Sequence, residues 1–303
     1  MDLRALQYFV SSADAGSFTA AAEALYVSQP SLSEGIRRLE RELATPLFHR
    51  VGKGVVLTES GLVLLPMARN LLRDSEEALE AMIALKGLQG GHVRISSPPG
   101  LSVDPLAHII GGFRNRYPAV TLSMLPAEDG NLASQAVLSA ACEIGIVDRQ
   151  PHSSDLVAHA IARNEIMVIS PPEIGRNEPA QIPLEALAGR RFISSIPGTR
   201  TRTVLNEALE RGIDLRIVVE TPHREAVVPL VLEGVGSAFV TSSVAREAQK
   251  RGAIVTALEP RISYDVYLIH RSRPLTRAAA AFVTHAVPLS TTRTAFDPAS
   301  DTA

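Results

Sequence analysis

Between Ser17 and Leu43 (SFTAAAEALYVSQPSLSEGIRRLEREL) the apolar positions predict two helices joined by a short turn. Ala20, Ala21, Ala24 and Leu25 give the first helix a small-residue packing face, with Ser17 or Thr19 as its cap. Tyr26-Val27-Ser28 makes the turn, and Pro30 suits the opening of the second helix, where its missing N–H costs nothing. Leu32, Ile36, Leu39 and Leu43 then recur at helical period as one stripe. The opposite face carries Gln29, Ser31, Ser33, Glu34, Arg37, Arg38 and Arg41.

The flanking patterns decide between an ordinary helix pair with a solvated face and something more specific. Residues 3–13 read as a first helix with Leu3, Leu6, Phe9, Val10 and Ala13 on one side, ended by Gly16. After Leu47-Phe48, two β-prone runs flank Gly52-Lys53-Gly54 and predict a short hairpin. A hairpin bearing Arg50 and Lys53 beside a presented helix is a winged helix-turn-helix. The helix fits a DNA major groove and the wing meets phosphates.

A long helix is predicted from Glu59 to about Lys86, with Leu62, Leu65, Leu72, Leu79, Met82 and Ile83 on one side and a bend at Pro66. At about 40 Å it needs a partner for that stripe, either the same helix of a second subunit or the rest of its own chain. Gly87–Gly91 reads as a hinge.

From His92 the pattern alternates between strands and helices, which indicates parallel α/β sheets. Strands are expected at 92–96, 120–125, 143–147, 156–162, 165–169, 191–195, 215–220, 236–240, 253–258 and 264–270. Helices are expected at 104–117, 131–141, 200–211, 224–233, 243–251 and 275–286, with a Pro-rich loop at 171–183. Residues 290–303 lack a periodic pattern and are expected to be disordered.

Composition narrows the class. The 303 residues are 46% hydrophobic and 20% charged, enough for two or three globular domains. No apolar run is long enough for a membrane span, and Asp2 and Arg4 argue against a signal segment, so a cytoplasmic protein is expected. Net charge is −2, and residues 1–58 balance six basic against six acidic side chains. The case for DNA therefore rests on where the charges sit. The single cysteine, Cys142, reads as a buried small hydrophobe. Eight scattered histidines, no P-loop and no nucleophile elbow give no support to an enzyme, a metal site or a cofactor.

The pieces MDLRALQYFV, GSFTAAAEAL, VSQPSLSEGIRRLEREL, PLFHR and LTESG, in that order, make residues 1–65 resemble the N-terminal domain of LysR-type transcriptional regulators. The resemblance implies double-stranded operator DNA as partner. It places DNA-binding roles on Thr19, Gln29, Pro30, Ser31, Ser33, Arg37, Arg50 and Lys53. Glu34 departs from the family pattern and bears on which operator is read. The resemblance also implies a winged helix-turn-helix at 1–58 and a dimerising linker helix at 59–87. It further implies a two-lobed, periplasmic-binding-protein-like effector domain, with lobe I at 92–162 plus 268–289 and lobe II at 163–267. A homodimer is implied, assembling further into a homotetramer.

In such lobes ligands sit at the C-terminal ends of strands. Three loops qualify, at 96–102, 196–202 and 221–223. Their hydroxyls, glycines and basic groups nominate Ser97, Gly100, Ser102, Thr199, Arg200, Arg202 and His223 for a small anionic effector. The competing reading is a cytoplasmic solute-binding module whose N-terminal domain only dimerises it.

Overall fold

Asp2 caps helix α1 (Leu3–Ala15) by accepting from the Ala5 amide at 2.7 Å, and Gly16 ends it with a φ of 61°. The computed structural model describes residues 2–52, 54–84, 90–174 and 179–287, without the side chains of 76, 77 and 79–84. Ser17 caps α2 (Phe18–Ala24), and Ser28 caps α3 (Gln29–Leu43), with Pro30 in the first turn. Tyr8, Ala21, Ala22, Leu32 and Ile36 form one core, and Leu6, Phe9, Leu39, Leu47 and Ala68 another. At Gly35 an added Cβ would sit 2.6 Å from the Tyr8 ring, so α1 and α3 approach only because this position is glycine.

The hairpin forms as the pattern predicts. Strand β1 (Phe48–Val51) pairs antiparallel with β2 (Gly54–Leu57), in register from Phe48↔Leu57 to Val51↔Gly54. The Phe48 ring meets Phe9 and Phe18 at 5.4 and 5.3 Å, and the Val55 amide donates to Gly16 O at 2.9 Å. The wing is thus fastened to the first helix.

Helix α4 (Glu59–Ala84) starts at a Thr58 cap and contains Pro66. Its two faces correct the sequence reading. Leu64, Leu65, Ala68 and Leu72 pack onto the N-terminal core, whereas Leu62, Val63, Met67 and Leu71 are exposed. Of the stripe read in the sequence, Leu65 and Leu72 are therefore satisfied within the chain, whereas Leu62 falls on an uncovered side with Val63, Met67 and Leu71. The side chains of Leu79, Met82 and Ile83, most of the 87–91 hinge and the 290–303 segment lie outside the described residues.

The remaining chain forms two α/β lobes. The first contains β3 (Gly91–Ser97), α5 (Pro99–Leu101), a kinked connection over Ser102–Leu106 in which Asp104 is extended, α6 (Ala107–Arg116), β4 (Val120–Pro126), α7 (Gly130–Leu138) and β5 (Ile144–Val147). Strand β6 (Leu156–Ser170) leads to the second. There lie β7 (Gln181–Pro183), β8 (Arg191–Ser195), α8 (Arg200–Glu210), β9 (Arg216–Thr221), α9 (Arg224–Leu232), β10 (Ala238–Thr241) and α10 (Ser242–Lys250). Strand β11 (Ile254–Arg271) returns to the first lobe, where α11 (Arg277–Ala286) packs. The main sheet runs β10-β6-β11-β5-β3-β4, with β7 beside β11. A bridge from Phe192 to Ser237 attaches the β8–β9 pair to β10.

Two pairs of expected strands are single strands here. β6 and β11 pair antiparallel from Ile254↔Ser170 to Arg271↔Leu156, with register shifts between Ala257 and Ile262 and between Val266 and Tyr267, and carry the chain between the lobes. Arg163-Asn164, between the two expected strands, read as a break because it is polar. Pairing with Tyr264-Asp265 satisfies its backbone, so the strand continues. The helix expected at 104–117 begins at Ala107, and the loop expected at 171–183 contains β7.

Candidate functional site

Two surfaces gather the polar groups singled out in the sequence. On α3 the Ser28 hydroxyl accepts from the Ser31 amide at 3.4 Å, fixing the N-terminus of the helix. Gln29, Pro30, Ser31, Glu34, Arg37, Arg38 and Arg41 are exposed, as a helix with its stripe turned inward requires. Ser33 is not. It is 6% exposed, a correction that follows from its place one residue after Leu32 and three before Ile36, on the flank of the apolar stripe. Thr19 is exposed in the first turn of α2, whose cap is Ser17.

Glu34 is the centre of charge on this face. It pairs with Arg41 at 2.7 Å and with Arg37 at 3.8 Å, while Arg38 pairs with Asp2. Exposed pairs of this kind exchange partners at little cost, so phosphate or a base edge can take the arginines over. Arg50 is exposed on the wing, and Lys53 lies outside the described residues. Tyr26, in the turn before α3, is 97% exposed with a φ of 53°. The sequence reading treated it only as part of the turn. An aromatic placed there with nothing to bury against was the available signal.

Between the lobes lies a cavity of about 350 Å³ that continues into a smaller one of about 60 Å³. Asp129, Gly130, Asp148 and Gly198 line both. Of the nominated residues, Gly100, Thr199 and Arg200 line this cleft. The others do not, and each has a reason. The Ser97 and Ser102 hydroxyls both donate to Pro98 O, at 3.2 and 3.0 Å, closing their own turn. Arg202 donates to Ser194 Oγ and Asn206 Oδ1, each at 2.9 Å, and pairs with Glu220. Two residues after Arg200 on a helix, it faces the β8–β9 sheet instead. The His223 side chain is 73% exposed beside Glu225.

Three groups that the sequence reading passed over complete the cleft. Arg224 opens α9 one residue beyond the nominated loop. Its Nη1 lies 3.0 Å from where a Gly100 Cβ would stand, so Gly100 admits this guanidinium across the lobes. Burial pulls Arg224 below the ordinary arginine range, opposed by Tyr264 and Asp148. Tyr264 on β11 is buried, which pushes its phenol up. It receives a hydrogen bond from Asn164 Nδ2 at 3.4 Å, and Arg200 lies 5.2 Å over its ring. Asp148 follows β5, at the strand end where the same loop rule would have found it.

The two surfaces are mechanically joined. Arg69 of α4 pairs with Asp14 of α1 and donates to Ser139 O of the first lobe at 3.0 Å. Arg271 Nη1 donates to Asn70 Oδ1 one residue along. Arg246 of α10 faces Asp104 of the first lobe at 3.8 Å.

Among the described residues no group of three or more His, Cys, Asp or Glu is placed to hold a metal. No described helix is long and apolar enough to cross a membrane. The Cys142 thiol is buried and pushed up to about 12 by that burial, so it is held as a neutral thiol at neutral pH.

Residues 3–62 match the family described as bacterial regulatory helix-turn-helix protein, lysR family, and residues 86–289 match the LysR substrate binding domain. The chain is 31% identical over 298 residues to a probable RuBisCO transcriptional regulator of Synechocystis sp., covering 94% of this chain and 86% of that one. It is 31% identical over 292 residues to the RuBisCO operon transcriptional regulator of Allochromatium vinosum, covering 93% and 94%. Among solved structures, a full-length OxyR variant from Pseudomonas aeruginosa superposes with a TM-score of 0.75 at 21% identity, covering 97% and 99%. Full-length CbnR in complex with its target DNA superposes at 0.66 with 22% identity, covering 96% and 100%.

Proposed function

The chain belongs to the LysR family of bacterial transcriptional regulators, and we propose that it reads operator DNA with the outward face of α3. Gln29, Pro30, Ser31 and Arg37 supply groove contacts, while Thr19, Arg50 and Lys53 are assigned to phosphates. Ser33 acts from behind by seating the helix. The observation that carries this is the partition of α3, with Leu32, Ile36 and Leu39 inward and Gln29, Ser31, Glu34, Arg37, Arg38 and Arg41 exposed outward. An interaction-only domain would not need that face.

Residues 1–58 form the DNA-binding domain and 59–87 the linker. Lobe I takes 92–162 with 268–289, and lobe II takes 163–267. The exposed stripe Leu62, Val63, Met67 and Leu71 supports a homodimer through α4, and two dimers make a homotetramer. Two recognition helices then read two half-sites. The protein works in the cytoplasm as a regulator and not as an enzyme, without a cofactor.

A small effector sits between the lobes, its anionic group at Arg200 and Arg224. Ligand shifts the two lobes only to the extent that it binds their two arrangements with different affinity. Arg224 and the Arg246–Asp104 pair span the lobes and are the contacts such a shift would change. Arg69 and Arg271 transmit it to α4. Footprinting of the purified protein on the DNA upstream of its own gene tests this reading. A protected inverted repeat supports it, and protection that ignores sequence counts against it.

A further inference from the structure

The cleft is not a basic pocket. Its charged lining is Glu128, Asp129 and Asp148 against Arg149, Arg200 and Arg224, three carboxylates against three guanidiniums. Apart from Arg149, which follows Asp148 in the first lobe, the signs are also sorted by lobe. The acids all come from the first lobe, at the start of α7 and the end of β5. Arg200 and Arg224 open α8 and α9 of the second, and Arg149 is exposed at the outer end.

Among the described residues, no ion pair joins Arg200 or Arg224 to Asp129 or Asp148, although Arg224 and Asp148 feel each other's charge. Asp129 uses Oδ1 to cap α7, accepting from the Leu132 amide at 2.9 Å. Its Oδ2 points toward Gly198 of the facing lobe, 3.5 Å from where a Cβ there would be. Asp148 Oδ1 stands 2.9 Å from the corresponding point on Gly130. Asp129, Asp148, Arg200, Arg224 and the Tyr264 ring thus line one cavity, the carboxylates from the first lobe and the two guanidiniums from the second.

A simple anion would answer the second lobe and be repelled by the first, and a simple cation the reverse. A molecule carrying both charges answers both walls and gives the half-buried charges of each a partner. Resting on the reading that the effector binds in this cleft, we propose that it is a small zwitterion of the amino-acid class. Its carboxylate lies at Arg200 and Arg224, and its ammonium at Asp148 and Asp129. Such a ligand also bridges the lobes, which is what a closing signal requires.

The test is calorimetry on the full-length protein. The probes are L-amino acids and ω-amino acids at millimolar concentration, each matched with its des-amino acid and its decarboxylated amine. At least one amino acid should bind, with both matched compounds about tenfold weaker or more. Asp148→Asn should weaken the amino acid and strengthen its des-amino partner. Arg200→Gln and Arg224→Gln should weaken both. Failure of every amino acid to bind overturns the proposal. So does a des-amino acid that binds as tightly as its parent while still depending on Arg200, although the cleft itself would then stand. Binding that ignores all three substitutions overturns the cleft reading as well.

Discussion

Leu71 and Leu72 are adjacent on α4 and face opposite surroundings: Leu71 is 42% exposed, and Leu72 packs against the core built by Leu6, Phe9 and Leu39. Dimerisation should therefore depend on the Leu71 side of the helix. Met67→Glu with Leu71→Glu should yield a folded monomer in sedimentation, because a dimer would bury two unpaired carboxylates per chain. Leu72→Ala should leave the dimer and lower the stability of the DNA-binding domain by about 2 kcal/mol. A dimer that survives the double substitution would move the interface elsewhere.

Gly61 shows how tightly α4 is seated. A Cβ there would lie 2.3 Å from the Leu47 carbonyl oxygen, an atom of the backbone that cannot swing away. Gly61→Ala should destabilise by about 1–3 kcal/mol through overpacking, despite alanine's better helix propensity. Urea denaturation would show this as a lowered midpoint with an unchanged slope.

His159 and His270 make the second lobe crossing sensitive to acid. Their Nε2 atoms are 3.2 Å apart, so one ring must be neutral to accept the other's proton. Burial first, and the His270 charge second, pull His159 below its ordinary value of 6.5. The folded state thus favours neutral His159. Its contribution is present above 6.5 and is lost as pH falls through the depressed folded value. His159→Gln should flatten the decline of melting temperature below pH 6.5. An unchanged profile would show that the pair does not titrate with folding.

Much of this was legible in the sequence, and the misses have physical causes. The α3 stripe was readable because one face is buried and the other wet, and period alone reports that. Ser33 sits at the border of the two faces, where period is ambiguous and packing decides. The joined strands were missed because polarity at 163–164 reports exposure, whereas strand continuity depends on a partner about 100 residues away. In the cleft, Gly100, Thr199 and Arg200 followed from the strand-end rule. Arg202 satisfied the same rule in sequence and was withdrawn by Asn206, one turn on in α8, and by Ser194 and Glu220, which only the fold brings near. Arg224 and Tyr264 belong to the facing lobe and to the crossing strand, and their convergence is purely tertiary.

The central claim is that the outward face of α3 reads DNA. Fluorescence anisotropy on the footprinted operator and on a scrambled duplex, across a salt series, tests it most directly. Arg37→Ala and Gln29→Ala should each weaken operator binding by about 1–3 kcal/mol while leaving the scrambled duplex nearly as before. Arg50→Ala should instead weaken both duplexes and reduce the salt slope. If folded Arg37→Ala and Gln29→Ala proteins bind the operator as tightly as the parent, α3 is not the reading surface.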